Sequence, residues 1–141
     1  MFKPITFLIA ACLTLIISSC STEETQPSVY DTVKLELNDG EKWQVSPEMM
    51  LPMTTSMELI DSVALETKVD YTDIAEQLIS NKSAFVSSCD MKGKGHDVLH
   101  SWLMPYIGLL DDLQQATTTA EQERIFDEIL VAKSLFNEYF E

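Results

Sequence analysis

From Ser46 onward, apolar side chains recur at alternating steps of three and four, and that period limits the chain to helices that bury one face. Met50, Met53, Met57, Ile60 and Ala64 form a first seam, and Ile74, Ala75, Leu78, Phe85 and Val86 a second. Leu99, Leu103, Tyr106, Leu110 and Leu113 form a third, and Ile125, Ile129, Ala132, Phe136 and Tyr139 a fourth. The punctuation agrees with the period. Ser46 followed by Pro47 reads as an N-cap and first helical position, and Asp70 as a second cap. Gly93 and Gly95 break the chain before the third seam, and Thr119-Ala-Glu-Gln122 reads as a capping box opening the fourth. Pro52 and Pro105 lie inside their helices and predict a bend in each. Four amphipathic helices with short connections predict a mainly α fold, an antiparallel up-down four-helix bundle.

Ahead of the helices the period is two. Val33 to Leu37 and Lys42 to Val45 alternate on either side of Asn38-Asp39-Gly40, which predicts a short β-hairpin. A lone hairpin is marginal in water, so it must lean on the bundle, with Trp43 the expected contact.

The first residues have another character. Lys3 precedes an apolar run from Ile5 to Ile17 of about 13 residues, short of the ~20 that a membrane-spanning helix needs and suited to a signal peptide. Small residues then lead to a cysteine in Ile17-Ser18-Ser19-Cys20. This resembles the lipobox of bacterial lipoproteins. The resemblance implies cleavage before Cys20, a diacylglyceryl thioether on its sulfur and acylation of the new amino terminus. Two or three acyl chains make a lasting anchor where one is marginal. The chain therefore divides into a leader over 1–19, a lipidated cysteine with a polar, acidic tether over 20–32, and a folded domain over 33–141. The expected place is the bacterial cell envelope, at the periplasmic or surface face of the outer membrane.

Charge narrows the partners. The sequence has 9 Lys and Arg against 23 Asp and Glu, a net charge of −14, and losing Lys3 with the leader makes it one more negative. Such a surface repels phosphate backbones, so nucleic acid is not expected as a partner. The membrane, reached through lipid on Cys20, is expected, and a protein partner remains open. Of the 3 cysteines, Cys12 lies in the leader and Cys20 carries lipid, so the domain keeps one thiol, Cys89, without an internal disulfide partner.

One stretch concentrates donor atoms: Cys89-Asp90-Met91-Lys92-Gly93-Lys94-Gly95-His96-Asp97-Val98-Leu99-His100. Both histidines of the chain lie four apart on one predicted helix, so their imidazoles project from one face. That is how a helix offers two ligands to one metal ion. In an up-down bundle this loop shares an end with Met49, Met50 and Met53 and with Glu138 and Glu141. Thiolate and thioether select copper, and thiolate with imidazole admits zinc. The expected ligands are Cys89, His96 and His100, with Met91 or Met53 completing the set, and the expected cofactor is a copper or zinc ion. Methionines at helical spacing also serve as core filler, and a lone cysteine as a small buried residue. No activated nucleophile, general base, haem-attachment motif, phosphate loop or dinucleotide fingerprint is present, so catalysis is not expected. Two other readings stay open: an interaction module without cofactor, and a haem bundle with His and Met axial ligands. Cys89 as a site of intermolecular disulfide formation is a third.

The pattern C-x-M-K-G-x-x-H-x-x-L-H after N-D-G-E-K-W resembles small four-helix lipoproteins of bacterial envelopes. That resemblance covers most of 33–141 and implies a fold and a place rather than a chemistry.

Overall fold

The computed structural model describes residues 26–141 apart from Ala64 and Thr67. The leader, the lipobox and Cys20 lie outside the described residues, as does Ala64 of the first seam. Four helices form where the period predicts them: α1 Pro47–Val63, α2 Tyr71–Ser87, α3 Gly93–Gln115 and α4 Thr119–Tyr139. Each packs on the next along the chain, α1 on α2, α2 on α3 and α3 on α4. The protein is mainly helical, and no β-strand forms among the described residues.

The seams meet in an aromatic centre. Phe85 of α2, Trp102 of α3 and Phe136 of α4 are each almost fully buried. Trp102 meets Phe136 edge-on at 4.9 Å between ring centroids and stacks on Tyr106 at 5.0 Å. The Trp102 indole N–H donates to the Ala132 carbonyl at 2.8 Å, giving its polar edge a partner inside the core.

Several local details differ from the sequence reading. Met49, Met53, Ser56, Ile60 and Val63 are the buried residues of α1, whereas Met50 and Met57 are only half-buried. The buried face is thus turned by about one residue, because the predicted seam and the observed one share the same three-four rhythm and differ only in phase. Val86 is 45% exposed, lying past the edge of the α2 stripe. Ser46 does not cap α1 through its side chain: its carbonyl accepts from the Met49 and Met50 N–H groups, and its hydroxyl is buried without a partner. Asp70 caps α2 as expected, accepting from the Thr72 and Asp73 N–H groups. The cap of α4 is Thr118, one residue earlier than predicted, with its hydroxyl accepting from Glu121 N–H. α3 starts at Gly93 rather than after Gly95, so His96 stands within its first turn.

The predicted hairpin is replaced by a strap. Among the described residues the two runs form no bridge to each other, and only Asn38 and Glu41 pair, closing the turn between them. The second run pairs instead with the chain's far end. Trp43 N–H donates to the Tyr139 carbonyl at 2.8 Å, Val45 N–H to that of Glu141 at 2.7 Å, and Glu141 N–H to that of Trp43 at 3.0 Å. The start of the strap is fastened too. Ser28 Oγ and Val29 N–H both donate to the Glu128 carboxylate, and the buried Tyr30 hydroxyl donates to the Trp102 carbonyl at 3.0 Å. Residues 28–45 therefore run alongside α4 from Glu128 to Glu141, with Tyr30 and Val45 buried and Val33, Leu35 and Trp43 packed on the core.

A candidate metal site at the start of α3

Trp43 connects the strap to the donor-rich loop. Gly95 is buried beneath it, and a methyl group placed there would lie 2.7 Å from Trp43 Cε3 and 3.2 Å from the Met91 methyl. The Trp43 indole N–H donates to the Glu36 carbonyl at 2.7 Å, and the Glu36 carboxylate pairs with Lys94 at 2.8 Å. Each partner reinforces the other's charged form: Lys94 holds Glu36 below the usual carboxylate range, and Glu36 holds Lys94 above the usual ammonium range. Both side chains are well exposed, so this pair fixes geometry more than it adds stability. The strap, the end of α4 and the first turn of α3 thus meet at one place.

His96 and His100 come together there. Their ring centroids are 4.3 Å apart with 51° between the planes, His96 half-buried and His100 exposed. Two imidazoles this close on one helix face are the arrangement by which a helix offers two nitrogen donors to one ion. The pair has no hydrogen-bond partner of its own among the described contacts, and its outer side faces solvent.

The other expected ligands are placed differently. Cys89 is a free, half-buried thiol just after α2, and Met91 is half-buried with its methyl beside Gly95. Met53 and Met49 are core residues, 4% and 0% exposed. Among the described residues no three His, Cys, Asp or Glu side chains stand close enough to share an ion. The structure therefore brings the two imidazoles together, with the Met91 methyl close to Gly95 beside them and Met53 in the core. Trp43 and Gly95 organise this place, and sequence reasoning saw Trp43 only as a hairpin contact. The surface depressions around Lys68, Val69 and Tyr71 include none of the candidate residues.

No family model matches the chain, and no curated protein and no solved structure is significantly similar to it. None of the described helices is long and apolar enough to cross a membrane.

Proposed function

We propose that this protein is an envelope lipoprotein, anchored by lipid on Cys20, that binds a transition-metal ion through His96 and His100. The observation that carries the reading is the 4.3 Å spacing of the two imidazoles on one solvent-facing side of α3. Copper is the first choice and zinc the second. Neutral imidazole suits both, and the thiol and thioether donors on the neighbouring loop favour copper. In an antiparallel up-down bundle the loop before α3, the start of α1 and the end of α4 share one end, an arrangement supported by Trp43 touching Gly95 while pairing with Phe140. Cys89 and Met91 lie on the loop leading into the site and are the donors that a loop movement would add, whereas Met53 would need α1 to shift. The role that fits is sequestration, delivery or sensing of the ion at the outer membrane. The leader supports that place through Ile17-Ser18-Ser19-Cys20, and the acidic surface enriches cations near the site.

The test is a titration of the full lipidated chain in detergent with copper and with zinc, beside a variant carrying His96→Gln and His100→Gln. Tight stoichiometric binding by the wild type, lost in the variant while its helical circular dichroism is kept, is the expected result. Equal binding by both proteins overturns the reading. In that case the interaction module without cofactor takes its place.

A further inference from the structure

The first turn of α3 has little of its own to hold it. Asp70 and Thr118 cap α2 and α4 through their side chains, whereas Lys92, at the same position before α3, makes no capping hydrogen bond. Gly93 enters with a φ of 62°, outside the right-handed helical region, and Gly95 follows two residues later. Glycine is among the weakest helix formers. The turn also carries no acidic residue to favour the positive end of the backbone dipole. His96 nevertheless stands in this turn and must keep helical register with His100, because only helical geometry makes residues four apart neighbours.

The strap supplies from outside what the turn lacks within. The two residues immediately before His96 are each engaged by it: Lys94 by the Glu36 carboxylate, and Gly95 by the Trp43 ring that lies over it. Those two strap residues are joined to each other, since the Trp43 indole N–H donates to the Glu36 carbonyl. Main-chain pairing of Trp43 and Val45 with Tyr139 and Glu141 then fixes the assembly to the end of α4. Opening of the strap would remove the ring and the ion pair together and leave a glycine-rich, uncapped start of α3 to fray.

We infer that Trp43 is a positioning residue for the histidine pair, so that closure of the strap and binding of an ion at His96 and His100 are linked. This inference rests on the metal reading proposed above. The ion binds the two imidazoles in helical register, and that register depends on the indole over Gly95. By linkage, whatever factor closure adds to the affinity for the ion, the ion adds to closure. The strap is thus a latch on the site: open, it weakens the ion's hold, and an ion in place keeps it shut.

The test is amide hydrogen exchange on the full chain in detergent, read by peptide over 42–45, 74–85 and 93–100, beside titrations with copper(II) and zinc(II). Without metal, Trp43→Ala should speed exchange over 93–100 by about tenfold or more and weaken ion binding by a similar factor, while 74–85 in α2 keeps its rate. Trp43→Phe, which keeps a ring over Gly95, should restore most of both. In the wild type, saturating ion should slow exchange over 42–45, where neither histidine lies, and should do nothing there in the His96→Gln, His100→Gln variant. Acceleration spread evenly over all three peptides marks Trp43 as merely structural and overturns the inference. Unchanged exchange over 93–100 in Trp43→Ala also overturns it. So does tight ion binding that leaves 42–45 unprotected, a result that needs no Trp43 variant and leaves the metal reading standing. No binding by the wild type removes the metal reading and this inference with it.

Discussion

A methyl group on residue 95 would stand 2.7 Å from Trp43 Cε3, closer than carbon atoms pack, and Trp43 is held from both sides by its backbone pairing and its indole hydrogen bond. Gly95→Ala must therefore displace the indole or the start of α3. Alanine's better helix propensity offsets part of the strain, and we expect a net loss of about 1–3 kcal/mol. Urea denaturation measures it, and a variant as stable as the wild type would show that Trp43 does not rest there. At this scale the sequence was only partly legible. The four-residue interval announces the histidine pair directly, because helix geometry alone sets which side chains neighbour each other. The partnership of Trp43 with Gly95 was not readable, since it joins segments about fifty residues apart and glycine carries no apolar signal. The same holds for Met49 and Met50: a three-four rhythm shows that a face is buried, but its phase depends on where α2 lies.

Among the elements, the strap shows most clearly how tertiary pairing overrides local pattern. Alternation and an Asp39-Gly40 signal locate the turn, where both residues have positive φ. They leave open which main chain each run pairs with, and here the end of α4 competes successfully with the other run. The strap's inward anchor is Tyr30, whose hydroxyl is pushed well above the ordinary tyrosine value by burial first, then by Tyr106 and Glu128. Tyr106 is raised by burial as well, its hydroxyl facing the buried Ser56 without proper hydrogen-bond geometry. Raised values in the folded state mean that this part of the stability is complete below the ordinary value of 10.0 and is lost as pH climbs beyond it. Unfolding midpoints should therefore hold through neutral pH and fall steeply above about pH 10. Tyr30→Phe should make that fall shallower while lowering stability at neutral pH by about 1 kcal/mol for the lost hydrogen bond. Denaturation across pH for the two proteins checks both, and parallel alkaline slopes would count against Tyr30 as the buried anchor.

For the molecule as a whole, charge is the dominant fact. A formal net charge of −14 is met by only two salt bridges among the described residues, Lys94 with Glu36 and Lys133 with Asp61. Self-repulsion favours expanded states and is screened over roughly 10 Å at 0.1 M salt. Raising sodium chloride to about 0.5 M should lift the thermal midpoint by several degrees, read by circular dichroism. A flat or falling midpoint would mean that specific pairs outweigh the net charge. The helical class was legible because four seams share one period, and the acidic surface because composition alone states it. The chemistry was less legible, because metal sites are assembled by loops whose course no periodicity encodes.

The fastening of the strap also sets an order of events. Helix pairs adjacent along the chain close short loops, and such local contacts form early. The Ser28–Glu128 hydrogen bond spans 100 residues, and the pairing of Trp43 with Phe140 is nearly as remote. Neither can form until α4 has taken its place, so the entropy of closing these long loops is met only at the end. Packing of the helices is therefore expected to precede the sealing of the strap. Before that sealing Trp43 is still away from Gly95, and α3 begins without the indole above it. Order at the first turn of α3 is therefore a late acquisition of folding, gained when the two distant ends of the domain meet.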